Sequence, residues 1–156
     1  IEVSGQLHGI VESIGFRSTV IRTFDTAPMV IPNKDLSDVK VINHGEMINR
    51  RLNWKINLIY STSVEQLESI RNGIKDYIIK SDDFVTDGDL DPVVRVIELG
   101  GSSIDLMIVA YADPMGFAAF NEVKESLIFN IMKIVKDNGS EFAYPSTSLY
   151  VESMPK

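Results

Sequence analysis

The chain has 156 residues, 44% hydrophobic and 24% charged, a balance typical of globular proteins that excludes the disordered and fibrous classes. Its 15 Lys and Arg against 22 Asp and Glu leave a net charge of -7, the wrong sign for a surface that displaces counterions from phosphate backbones. There is no cysteine, so a disulfide framework, a thiolate metal site and a cysteine nucleophile are all ruled out, and a reducing compartment is permitted.

From residue 6 to residue 43 the chain reads as short β-favouring runs punctuated by turn formers, with no helical period long enough to compete. The pattern predicts a strand over Leu7 to Ile14, followed by Gly15 where a tight bend or close backbone approach leaves no room for Cβ. Arg17 to Thr23 alternates through Thr19, Val20 and Ile21, and Asp25 and Thr26 then turn the chain into Met29-Val30-Ile31. Pro32 cannot donate to a ladder, so that strand ends there or lies at a sheet edge. Val39 to Asn43 supplies the last strand of this part, and Gly45 to Arg51 has little periodicity. The expected boundary falls in that segment, giving a β-domain over residues 1–48 and a second domain over 49–156. Strands this short bury little core alone, so the β-domain is expected to lean on surfaces outside itself.

Beyond the boundary, Leu52, Trp54, Ile56, Leu58 and Tyr60 alternate with polar residues as in a half-buried strand. Ser61-Thr62-Ser63 offers N-cap hydroxyls, and Glu65 and Glu68 sit where the helix dipole favours anions. Val64, Leu67, Ile70, Ile74 and Ile78 recur at helical spacing, predicting a helix of about four or five turns. Val93 to Leu99 and Ile104 to Ala112 read as a hairpin joined by Gly100-Gly101-Ser102-Ser103. Asp113-Pro114 opens a second helix, with Phe117, Phe120, Val123, Leu127, Ile131 and Ile134 on one stripe and Asn138-Gly139 as its stop. A closing strand over Leu149 to Val151 completes the order β-α-β-β-α-β, the ferredoxin-like arrangement, and the expected class is α+β.

Residues 1–51 hold six acids and six bases, whereas 52–156 hold sixteen and nine, so the second part carries the whole negative charge. The longest uninterrupted apolar run, Leu106 to Ala112, is far short of the about 20 residues a membrane-spanning helix needs. Because the chain starts at Ile1 with neither an initiator Met nor a basic and apolar leader, it is expected to be an excised portion of a longer protein.

Asp87-Gly88-Asp89-Leu90-Asp91 with Glu98 reproduces the carboxylate spacing of a calcium loop. Pro92 stands where that loop needs a sharply turning Gly, and alternating Val93, Arg95 and Ile97 give a strand in place of the exiting helix, so the segment reads as a solvated acidic loop. His8 and His44 are the two imidazoles available as bases, and neither neighbours a nucleophile motif; each reads as an ordinary surface or packing residue. The close ligand spacing of a zinc site is absent from the sequence. Gly100 to Ser103 is followed by neither a Lys nor a helix, as a phosphate loop requires, and reads as a turn. Trp54, Phe117, Phe120 and Phe129 read as core or subunit-contact residues. The expectation is therefore no catalytic residue, no metal ligand and no cofactor.

Gly9, Val11, Glu12, Ile14, Gly15, Arg17, Thr19, Arg22, Thr23, Asp25, Val30, Ile31, Pro32, Asn33 and Leu36 stand without a gap at the spacing of a family signature. Leu99-Gly100-Gly101-Ser102-Ser103-Ile104 and Phe142-Ala143-Tyr144-Pro145 follow in the same order. In these three stretches the chain resembles the cytoplasmic region of small-conductance mechanosensitive (MscS-type) channels. The family usually has Gly where Thr26 stands. The resemblance implies a small Sm-like β-barrel or sandwich followed by the ferredoxin-like domain, with pore-forming helices upstream. It further implies a homo-oligomer of seven copies around a hollow vestibule, on the cytoplasmic face of a bacterial inner membrane, passing ions and small osmolytes during hypo-osmotic release, with no nucleic acid as partner. Gly9, Gly15, Arg17, Arg22, Asp25, Pro32 and Asn33 are then structural or assembly residues. For Arg17, Arg22 and Asp25 two readings stand: an exposed face with local ion pairs, or alignment of β-domains around a ring. Asp87, Asp89 and Asp91 are candidate ion-filter acids.

Two alternatives belong to other classes. A small β-domain with a ferredoxin-like domain is also an RNA-binding combination, but the strand that should carry stacking aromatics is Ile104-Asp105-Leu106-Met107-Ile108-Val109-Ala110-Tyr111-Ala112. A metabolite-binding regulatory domain is the other, and no residue selects its ligand.

Overall fold

In the computed structural model of the chain, residues 1–5, 7–113 and 116–144 are described, and the chain falls into two compact units, Ile1–Ile48 and Asn49–Lys156. The first contains β1 (Glu2–Val3), β2 (Leu7–Ile14), β3 (Ser18–Thr23), β4 (Pro28–Pro32), the short helix α1 (Asn33–Ser37), β5 (Val41–Ile42) and a 3₁₀ turn over His44–Glu46. The strands pair antiparallel in the order β4-β3-β2-β1-β5. β2 is the hub: Leu7 and His8 pair with β1, and from Gly9 onward the strand pairs with β3. Two glycines on β2 and its turn mark close approaches. A Cβ on Gly9 would lie 2.6 Å from the Arg22 carbonyl oxygen, and one on Gly15 3.0 Å from that of Ser18.

Among the described residues of this unit the buried side chains are Val3, Thr19 and Ile21. This is the small core that such short strands allow. Pro32 closes the edge strand β4 and is the N-cap residue of α1. Neither α1 nor β1 was legible in the sequence, because one turn of helix and a two-residue strand are too short to show a period. The strand expected over Val39 to Asn43 contracts to Val41–Ile42.

The second unit contains β6 (Arg50–Leu58), α2 (Val64–Lys80), β7 (Phe84–Val85), a 3₁₀ turn over Gly88–Leu90, β8 (Val93–Leu99), β9 (Ile104–Ala112) and α3 (Phe117–Asp137). β9 is central. It pairs antiparallel with β6 along one side and, along the other, with β8 and then with β7 at Ala112 and Tyr111. At the outer edge of β6, Phe142 bridges Leu58, and the Ala143 N–H donates to the Asn57 carbonyl at 2.8 Å. The closing strand expected over Leu149 to Val151 lies outside the described residues.

One face of the sheet is covered by both helices. Leu52 and Leu58 of β6, Val94 of β8 and Leu106, Ile108, Ala110 and Ala112 of β9 meet Ile70, Ile74 and Ile78 of α2 and Val123, Leu127, Ile131 and Val135 of α3. The helices approach closely at Gly73, where a Cβ would sit 3.1 Å from Ile134 Cγ2. Ser63 caps α2 in a reciprocal box: its hydroxyl accepts from the Gln66 N–H and its own N–H donates to Gln66 Oε1. The carboxyl of Glu65 in this first turn is held below the usual range, first by its own backbone N–H and then by the Ser63 hydroxyl. The second helix begins at Phe117 with Gly116 as N-cap, later than the expected Asp113-Pro114. Phe117 and Val64, placed by periodicity on the apolar stripes, are exposed at the first turns. Trp54 and Phe120 pack against the core, whereas Phe129 is exposed.

Candidate functional site

Of the seven residues singled out in the first unit, Gly9 lies within β2 against β3, and the other six fall into two local assemblies, both built on the β2–β3–β4 meander. In one, Asn33 follows the edge strand β4 and reaches back over the β2–β3 turn. Its Nδ2 donates to the carbonyls of Gly15 at 2.9 Å and Phe16 at 3.3 Å, and its Oδ1 accepts from the buried Thr19 hydroxyl at 2.9 Å. Its backbone N–H donates to the Arg17 carbonyl at 2.9 Å. Gly15, Arg17, Pro32 and Asn33 are thus joined as a clamp that holds β4 across the turn, while the Arg17 side chain is exposed.

The other assembly is the β3–β4 turn. Arg22 Nη2 contacts both carboxylate oxygens of Glu12, at 2.8 and 2.6 Å, and Nη1 donates to the Thr26 carbonyl at 2.9 Å. Glu12 lies where the register of β2 against β3 shifts, two residues beyond Ile10, which pairs with Arg22. Asp25 is exposed in the turn. Thr26, standing where the family usually has Gly, adopts a φ of 65°, a left-handed conformation unfavourable for a β-branched residue. The hairpin forms nonetheless, closed by the Thr23 N–H donating to the Ala27 carbonyl at 3.0 Å.

In the second unit Asp87, Asp89 and Asp91 surround the Gly88–Leu90 turn and are all exposed. Asp91 also lines a groove with Arg71, Lys75 and Arg95. The sheet face opposite the helices holds a polar cluster that sequence reading passed over. Asp105 on β9 is 3% exposed. It accepts from Lys55 Nζ at 2.6 Å, Asn57 Nδ2 at 2.6 Å and the Ser103 hydroxyl at 2.7 Å. Hydrogen bonding from Lys55 and then Ser103 holds the Asp105 carboxyl below the usual range, and the same bond raises Lys55. The signal that could have found it is an acid inside an otherwise apolar strand, which must be paired when buried. By alternation this face takes Asp105, Met107, Val109 and Tyr111 from β9. One aromatic beside a paired acid is no stacking platform for RNA bases.

One further group escaped sequence reading. Glu2, His8 and His44 converge, with His44 Nε2 at 2.9 Å and His8 Nδ1 at 3.9 Å from Glu2 Oε2. The sequence shows no close ligand spacing, and the fold supplies the proximity instead by pairing β1 with both β2 and β5. His8 and His44, read as ordinary surface or packing residues, are both exposed, and they share the Glu2 carboxylate as neighbour.

With this geometry the chain was compared with known proteins. Residues 1–46 match the family described as the mechanosensitive ion channel β-domain, and residues 52–142 match the family described as mechanosensitive ion channel MscS, C-terminal. An MscS family protein of Aquifex aeolicus (strain VF5) is 38% identical over 148 residues, 95% of this chain and 40% of that protein. The small-conductance mechanosensitive channel MscMJ of Methanocaldococcus jannaschii is 32% identical over 153 residues, 97% of this chain and 42% of that protein. The chain therefore spans less than half the length of these relatives. The crystal structure of Helicobacter pylori MscS in its closed state superposes with a TM-score of 0.78 at 24% identity, covering 97% of this chain and 58% of that one, and so shares the fold. Among the described residues, no helix is long and apolar enough to cross a membrane. Both units, in the order in which they follow one another, place this chain in the MscS family of mechanosensitive ion channels, a family of channels and not of enzymes.

Proposed function

We propose that this chain is the cytoplasmic vestibule of a tension-gated channel subunit, in which seven copies form a hollow ring beneath the pore on the cytoplasmic face of the membrane. The ring supports the pore's inner end and filters the ions and small osmolytes that leave during hypo-osmotic release. The observation that carries the reading is the ordered match of both units to channel domains along one chain. The first unit's surface supports it: Ile10, Ile14, Phe16 and Phe24 are all uncovered while only a few side chains are buried. Apolar exposure on that scale is what an interface with neighbouring copies would cover. In the ring, the clamp at Asn33 and the Arg22–Glu12 pair hold the β-unit surface in shape for its neighbours.

Light scattering on the purified chain tests the assembly role. A discrete mass several times that of the monomer is expected. A monomer at all accessible concentrations would place the assembly information outside these residues.

A further inference from the structure

We propose that Glu2, His8 and His44 form a binding site for a borderline divalent metal ion, zinc being the best match, which ties β2, β1 and β5 together. The inference rests on the geometry of the first unit and goes beyond the channel reading. Sheet register builds the site. Glu2 lies opposite His8 across the β1–β2 pair and opposite Ile42 across the β1–β5 pair. His44 follows Ile42 by two positions, just past the end of β5, and its Nε2 lies 2.9 Å from Glu2 Oε2. The 3₁₀ turn that begins at His44 is capped by Asn43, whose Oδ1 accepts from the Gly45 N–H at 3.0 Å, so the ring is carried on a fixed piece of backbone.

The donor atoms match what such an ion needs. Glu2 Oε2, His8 Nδ1 and His44 Nε2 all lie within 4.8 Å of one another, and the two separations from the carboxylate oxygen are 2.9 and 3.9 Å. Tetrahedral bonds of about 2.0–2.1 Å set neighbouring donors about 3.3 Å apart, between those two values. Small side-chain rotations therefore close the set around one ion. Two imidazoles and one carboxylate suit zinc and its transition-metal neighbours, whereas calcium and magnesium take oxygen donors. Both histidine side chains are nearly half exposed, at 46% and 43%, so an ion reaches them from solvent and a fourth position stays open to water or another donor. β1 and β5 are only two residues long. An ion held from both of them and from β2 would constrain residues far apart in sequence, and binding that requires the folded arrangement stabilises it.

The test uses the chain itself, free of any histidine tag and stripped of metal, titrated with zinc chloride near neutral pH against a chromogenic chelator. One ion per chain is expected, with a melting temperature several degrees higher in excess zinc. His8→Ala and His44→Ala should each weaken binding by at least about 10-fold, and Glu2→Gln should weaken it while keeping the side-chain shape. A chain that takes up no stoichiometric zinc, or a double His8→Ala/His44→Ala variant that binds as tightly as the parent, would overturn the proposal. Should a variant fail to fold, the parent decides. The chain has 2 histidines, so zinc must shift the ring nitrogen resonances of both together, and unmoved resonances would refute the site.

Discussion

Asn33 shows how one polar side chain can do the work of a missing core. Its amide ties the β2–β3 turn to the start of α1 and serves the buried Thr19 hydroxyl. Asn33→Ala leaves that hydroxyl and two turn carbonyls without their partner, and is expected to lower unfolding stability by about 1–3 kcal/mol, read from urea midpoints. Thr26 points the other way. Held at a φ of 65°, it pays the left-handed penalty of about 1–2 kcal/mol, while a glycine there would cost about 0.5–1 kcal/mol in unfolded-state entropy. Thr26→Gly should therefore stabilise slightly, and a lower urea midpoint would contradict the strain argument. The departure from the family pattern at Thr26 was visible in the sequence, but its consequence was not, because a backbone angle has no signature in one residue type. Glu2, His8 and His44 were illegible for a related reason: their proximity is a product of pairing between distant strands.

The longer elements were read with the greatest fidelity. The expected strands Leu7 to Ile14, Val93 to Leu99 and Ile104 to Ala112 match β2, β8 and β9 residue for residue, since alternation over seven or more positions leaves little freedom of register. β1 and β7, at two residues each, owe their existence to partners already in place. Periodicity found the helix stripes but not what lies between them. Gly73 faces Ile134 at a distance with no room for a large side chain, and Gly73→Leu is expected to force α2 from α3 at a cost of about 1–3 kcal/mol, measured by denaturant unfolding. The Lys55–Asp105 link between β6 and β9 sets a pH dependence. Asp105 is depressed, so its contribution is present above its unfolded value of about 3.9 and is lost as pH falls through the lower folded value. Lys55 is raised, so its contribution is present below about 10.4 and fades as pH rises through the higher folded value. In an Asp105→Asn variant the acid-side loss of stability should be smaller than in the parent, as followed by circular dichroism.

For the molecule as a whole, the uneven charge of the sequence becomes a placement of acids on the second unit's surface. Asp87, Asp89 and Asp91 are all exposed, and Asp91 also shares a groove with Arg71, Lys75 and Arg95. In a full-length channel the triple change Asp87→Asn, Asp89→Asn and Asp91→Asn is expected to reduce any preference for cations over anions, with most of the effect from the first two. Reversal potentials in asymmetric salt measure it, and an unchanged preference would refute the proposed role of these acids in ion filtering. The position of β9 has a consequence for how the protein is made. Every described strand of the second unit's sheet finds its partner in residues 104–112, so a ribosome must release that segment before β6 can pair. Until then the backbone N–H and C=O groups of Arg50–Leu58 that face β9 stand unpaired in the nascent chain, an open edge from which premature termination would yield an aggregating fragment.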